Sequence, residues 1–237
     1  MDTPQRPDVG EAARRTAHDV SRAAHEVSRA VKPKLRGWLH AGTFPLSVIG
    51  GAVLVTLAPT TTAKISSAIF AVTAALLFGV SALYHRFSWS PRVAAVLRRL
   101  DHANIFLIIA GTYTPFTLLL LDDSSARLLL TIVWAGALVG IAFRVLWLGA
   151  PRWLYVPVYV ALGWAAAFWL PAFWSGAPAA MVMIVIGGVL YSIGAVIYAT
   201  KRPNPSPTWF GFHELFHACT VAAFVSHLVG VTIAFNA

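Results

Sequence analysis

Residues 209–235 read WFGFHELFHACTVAAFVSHLVGVTIAF, a run with no lysine or arginine, one acid, Glu214, and three histidines, His213, His217 and His227. About 20 apolar residues at 1.5 Å per residue cross a hydrocarbon core of about 30 Å. The run is therefore long enough to span a bilayer, where every backbone N–H and C=O must be satisfied within the segment, and that condition predicts a helix. Six more runs of this kind precede it: Leu39–Ala58, Ile65–His85, Leu100–Leu121, Arg127–Trp147, Leu154–Phe173 and Pro178–Thr200. The expected architecture is an all-α bundle of seven transmembrane helices over residues 39–237. Pro45, Pro115, Pro157 and Pro171 fall in or near the ends of spans, where membrane helices tolerate kinks.

Composition agrees. Of 237 residues 58% are hydrophobic and 11% charged, and the mean hydropathy is +0.70, whereas soluble domains carry about 25% charged residues. The net charge of +9 does not point to nucleic acid, because the basic residues sit in short gaps between apolar runs, where they suit anionic lipid. Cys219 is the single cysteine, so no intrachain disulfide forms. The polar opening MDTPQRPDVGEAARR lacks the apolar core of a signal peptide.

The gaps also orient the bundle. Sixteen of the eighteen Lys and Arg fall before span one, after span two, around the end of span four and after span six; only Lys64 and Arg127 lie on the other side. By the positive-inside rule the N-terminus is cytoplasmic and the C-terminus outside. Residues 1–38 form a separate cytoplasmic segment, partly helical or disordered. It carries a seven-residue repeat, Asp19-Val20-Ser21-Arg22-Ala23 and Glu26-Val27-Ser28-Arg29-Ala30, and two histidines, His18 and His25, that read as solvated.

Beyond Glu26 the acids are Asp101, Asp122, Asp123 and Glu214. Asp122 and Asp123 read as solvated turn residues. Asp101 and Glu214 stand at span edges beside histidine, and ionisable groups at membrane depth mark function. His213 and His217, four apart, share a helical face, a spacing that lets both reach one metal ion or hydrogen-bond to a neighbouring helix. His85, ending span two at the same predicted depth, is the best third ligand. Three imidazoles with an open position suit Zn2+ and activate water near neutral pH. On this reading Asp101 orients an imidazole or accepts a proton, and Ser81, one turn before His85, faces the same cavity. His102 points away from Asp101 because adjacent helical residues do not share a face. His227 lies about 21 Å further along the helix than His213 as a packed residue, and His40 is interfacial. HELFH also matches the H-E-x-x-H protease pattern, but no acid follows His217 as a third ligand. Glu214 alternatively sits at the interface near Lys201 or Arg202.

Ser81-x-x-x-His85, Leu100-Asp101 and FHELFH at 212–217 followed by AAFVSH at 222–227 together resemble the haemolysin III family, the bacterial branch of the progestin and adipoQ receptors. The resemblance covers about residues 36–237. It implies a seven-helix bundle holding zinc through His85, His213 and His217, with Asp101 and Ser81 beside the metal. It further implies a zinc-dependent hydrolase of lipid amide or ester bonds, similar to the alkaline ceramidases, with a role in membrane homeostasis. Two other functions stay open: a lipid sensor or receptor with structural zinc, and a cytolytic protein as the family name implies. A pore needs no buried polar site, and no span is amphipathic in the way a pore demands. In each case the partner is membrane lipid.

Overall fold

The computed structural model describes residues 33–147 and 149–237, and these form a helical bundle without a β-strand among them. The N-terminal segment with its repeat, His18 and His25 lies outside the described residues. In chain order the helices are α1 (Trp38–Leu57), α2 (Thr61–Arg86), α3 (Pro91–Leu120), α4 (Asp123–Leu146), α5 (Arg152–Gly163), α6 (Leu170–Gly176), α7 (Pro178–Thr200) and α8 (Phe212–Ala234). A 3₁₀ turn, Ala165–Trp169, joins α5 to α6. Counted with that turn as one span, Arg152–Gly176, the chain has seven helical segments long and apolar enough to cross a membrane.

The largest departures from the hydropathy reading are at the start of α3 and within the fifth span. Helix α3 begins at Pro91 rather than Leu100, because proline at the first helical turn loses a donor that would be unsatisfied there anyway and the following residues, Arg92 to Arg99, carry the helix beyond the apolar run. Asp101 therefore sits inside a helix. The fifth span is broken where one helix was expected. At the break the Tyr113 hydroxyl donates to Gly163 O (2.7 Å) and accepts from Ala166 N–H (2.8 Å), so a side chain from α3 takes the place of helical hydrogen bonds. Pro171 then restarts the helix at the first turn of α6. At the other end of α3, Asp122 caps α4 by accepting from the backbone N–H groups of Ser124 and Ser125 at 3.0 and 3.1 Å. The Ser124 hydroxyl, which donates to the same oxygen at 2.5 Å, and these backbone donors stabilise the carboxylate and hold its pKa below the usual range.

Sequential helices pack side by side from α1 to α4, α7 packs along α8, and α8 closes against α1 and α3. Helix α3 is the central post: 67% of its apolar 18-residue stretch is buried, against 17% of that of α7. Its core contacts are made by Phe106, Ile108, Tyr113 and Phe116. Large apolar residues such as Leu46, Leu138 and Val139 point outward and are exposed, as a lipid-facing surface requires. Helix crossings in membranes depend on small residues that admit close approach. A Cβ at Gly111 would stand 2.0 Å from Thr73 Oγ1, so the α2–α3 crossing holds its present distance only with glycine there.

Candidate metal centre

The end of α2 and the start of α8 meet because Gly37, just before α1, lets the chain turn tightly beneath them. Gly37 adopts φ +80°, a left-handed conformation that glycine accommodates freely, and a Cβ there would lie 2.7 Å from the Cβ of His85. The segment before it is tied to the α7–α8 connection by Lys34 N–H to Thr208 O and Leu35 N–H to Trp209 O. Arg36 then reaches the Glu214 carboxylate, donating from Nε to Oε1. The other oxygen of Glu214, Oε2, accepts from the Gly211 backbone N–H at 2.8 Å, an N-terminal helix bond of the kind a capping residue provides. Glu214 is 1% exposed, and both of its oxygens have protein donors. It is thus a structural anchor, paired with Arg36. A carboxylate committed this way does not serve as the base that the H-E-x-x-H pattern needs.

On either side of Glu214 in α8, His213 and His217 face His85 of α2. One ligand atom from each of the three imidazoles lies within 4.8 Å of the others, and His85 Nε2 stands 3.3 Å from His213 Nε2. Asp101 approaches from α3 with Oδ2 3.6 Å from His85 Nε2. Ser81, one turn before His85, is buried beside the same carboxyl group. These five residues and His40 line one cavity of about 910 Å³.

The donor set suits zinc. Two nitrogens bound tetrahedrally at about 2.0–2.1 Å from a metal are separated by about 3.3 Å, which is the His85–His213 spacing. Three imidazoles without a thiolate, and with a carboxylate outside the cluster, favour a borderline ion such as Zn2+ over hard cations. His217 Nδ1 is buried without a hydrogen-bond partner, a state that buried polar atoms rarely keep without a ligand or water.

His40 departs from the sequence reading. It is not interfacial but 2% exposed, and its ring stacks on His217 with centroids 3.7 Å apart and planes 9° from parallel. Phe78 closes the other side, edge-on at 5.0 Å. The apolar run gave no hint of this, since only the return of α8 against α1 brings the two rings together. The His102 Nδ1–H donates to Arg98 O at 2.6 Å, one turn back along its own helix, while the residue lines the same cavity. His227 is packed deep in the bundle, with Nε2–H donating to Ile184 O at 3.3 Å.

With this geometry in view, comparison with known proteins decides the family. The family model described as Haemolysin-III related matches residues 28–228. The chain belongs to that family. It is 35% identical over 150 residues to "Hemolysin-3 homolog" of Bacillus subtilis (strain 168), covering 62% of this chain and 70% of the relative. To "Hemolysin-3" of Bacillus cereus it is 31% identical over 155 residues, 65% of this chain and 70% of that protein. A more distant likeness, 25% over 197 residues, runs to "Progestin and adipoQ receptor-like protein 1" of Caenorhabditis elegans, covering 71% of this chain and 43% of that one. This haemolysin III family member is accordingly a multi-pass protein of the cell membrane.

Proposed function

We propose that this haemolysin III family protein binds zinc through His85, His213 and His217 and hydrolyses amide or ester bonds of membrane lipids, with a role in membrane homeostasis. The observation that carries the reading is the three-imidazole cluster, within 4.8 Å, with a carboxylate 3.6 Å from one of its members, inside a cavity large enough for a lipid headgroup. Zinc held there would polarise a carbonyl oxygen and activate water near neutral pH.

The rest of the chemistry belongs to the chain. Asp101 holds a proton acceptor, Oδ2, at the edge of the imidazole cluster, where it takes a proton from the attacking water and returns it to the leaving group. Ser81 supplies a hydroxyl that hydrogen-bonds water or substrate. His40 backs the His217 ring and keeps it from rotating out of the cluster. An apolar slot of about 120 Å³ shares Ile105, Ile108, Tyr191, Tyr198 and Phe216 with the polar cavity, which gives an acyl chain a place beside the reacting centre. In this reading the N-terminus and residues 1–38 are cytoplasmic and the membrane domain occupies 39–237, so the site opens toward the inner leaflet. A zinc that only ties α2 to α8 would make the protein a lipid sensor instead, and the same ligands serve both roles.

The test is turnover. Protein purified in detergent is incubated with ceramide and with acyl-ester lipids, and released fatty acid is measured by mass spectrometry before and after chelation. The hydrolase reading predicts release that chelation abolishes and added zinc restores. Absence of release from every lipid by zinc-loaded protein contradicts it and favours the sensor.

A further inference from the structure

The polar cavity is markedly cationic. Arg36, Arg98, Arg144, Arg152 and Arg202 line it, against the single acid Asp101. Arg144, at the end of α4, is the least expected of them, because it is 2% exposed. None of the described acids is placed to neutralise it. Asp101 and Glu214 pair with His85 and Arg36, and Asp122 and Asp123 lie at the far end of α4, about 32 Å away at 1.5 Å per residue. A buried charge without a counter-charge is costly and calls for a partner.

The protein contacts that Arg144 does make leave it incompletely satisfied. Its guanidinium lies 4.1 Å over the Tyr155 ring, and Nη1 donates to Trp147 O at 3.4 Å. Its Nε is buried with no hydrogen-bond partner. Arg152 is held in a parallel way, 4.4 Å over the Tyr198 ring and donating from Nη1 to Tyr198 O at 3.1 Å. The two tyrosines touch through their hydroxyls at 3.2 Å. Two guanidinium groups are therefore fixed on one aromatic platform at the cavity wall, and planar guanidinium forks match phosphate oxygens. Tyr198 is also a wall of the apolar slot, so an anionic headgroup on the platform would have its chain beside that slot.

We propose that Arg144 and Arg152, held on Tyr155 and Tyr198, form an anion subsite that takes the phosphate group of a phosphorylated amphiphile. A phosphate monoester offers three acceptor oxygens and up to two negative charges to the two forks, against two oxygens and one charge for a carboxylate. As a statement about substrate class this rests on the lipid-hydrolase reading; as a binding site it stands apart from it.

Binding is what the test reads. Intact protein in uncharged detergent is titrated by calorimetry with dihexanoyl phosphatidic acid, dihexanoyl phosphatidylcholine and inorganic phosphate. Phosphatidic acid binds most tightly, and Arg144→Gln and Arg152→Gln each weaken it about tenfold or more, the loss of one charged hydrogen-bonding partner. Binding is read without turnover, so failure of the hydrolase reading does not carry the subsite down with it. The partly exposed Arg152 keeps the test valid should Arg144→Gln fail to fold, as judged by its melting temperature. Inorganic phosphate binding as tightly as the lipid, with the same arginine dependence, would identify free phosphate as the ligand and overturn the amphiphile assignment. Phosphatidic acid that does not bind, or binds equally to wild type and both arginine variants, overturns the subsite.

Discussion

Asp101→Asn lowers lipid turnover by about 100- to 10,000-fold, the usual contribution of a positioned proton acceptor, while zinc content stays at the wild-type level. The substitution preserves the shape of the side chain and its place 3.6 Å from His85 Nε2. It removes only the basicity. Neither His213 nor His217 depends on this carboxylate for its position, since both are set by α8, whose first turn is anchored by Glu214 to Gly211 and Arg36. The measurement is a paired one, metal content by mass spectrometry and fatty-acid release from the same preparation. Turnover that survives in Asp101→Asn would remove Asp101 from the chemistry. Loss of zinc together with turnover would make Asp101 a residue that orients His85, rather than one that handles protons.

The second large effect is on the metal itself. His217→Ala removes one of three imidazoles and lowers zinc affinity by more than the roughly 10- to 100-fold that loss of an outer hydrogen-bonding partner costs. It also empties the space against which His40 stacks at 3.7 Å, so part of any fall in melting temperature comes from packing. Chelation separates the two contributions. Wild-type protein melts at a lower temperature once zinc is removed, because an ion that binds only the folded state stabilises it by mass action. In His217→Ala, chelation produces no further shift. A variant that still responds to chelator as the wild type does would place the metal elsewhere.

Much of this was legible in the chain before folding was considered. Hydrophobic length alone locates seven spans, because lipid leaves the backbone no alternative to helix. The scarcity of charge made His85, Asp101, His213 and His217 conspicuous, and the i, i+4 spacing put the last pair on one face. What hydropathy could not convey was any feature depending on a neighbouring helix. The break in the fifth span is sustained by Tyr113 of α3, a residue about fifty positions away. His40 looked interfacial because its partner, His217, arrives only when α8 folds against α1. Glu214 stands out in the sequence by its position at a span edge, but its partner is Arg36, a residue just ahead of α1. Arg144 counted toward topology as one more positive charge, and its burial over Tyr155 is visible only in three dimensions.

The proposed hydrolase rests on a metal bound by three imidazoles, and the metal content of the intact purified protein addresses that dependence most directly. Elemental analysis with X-ray absorption at the zinc edge should find one zinc per chain with nitrogen and oxygen neighbours and no sulfur, and replacement of His85 by alanine should abolish it. Well-folded intact protein that binds no zinc even when supplied with it, or that binds it equally without His85, would contradict the assignment.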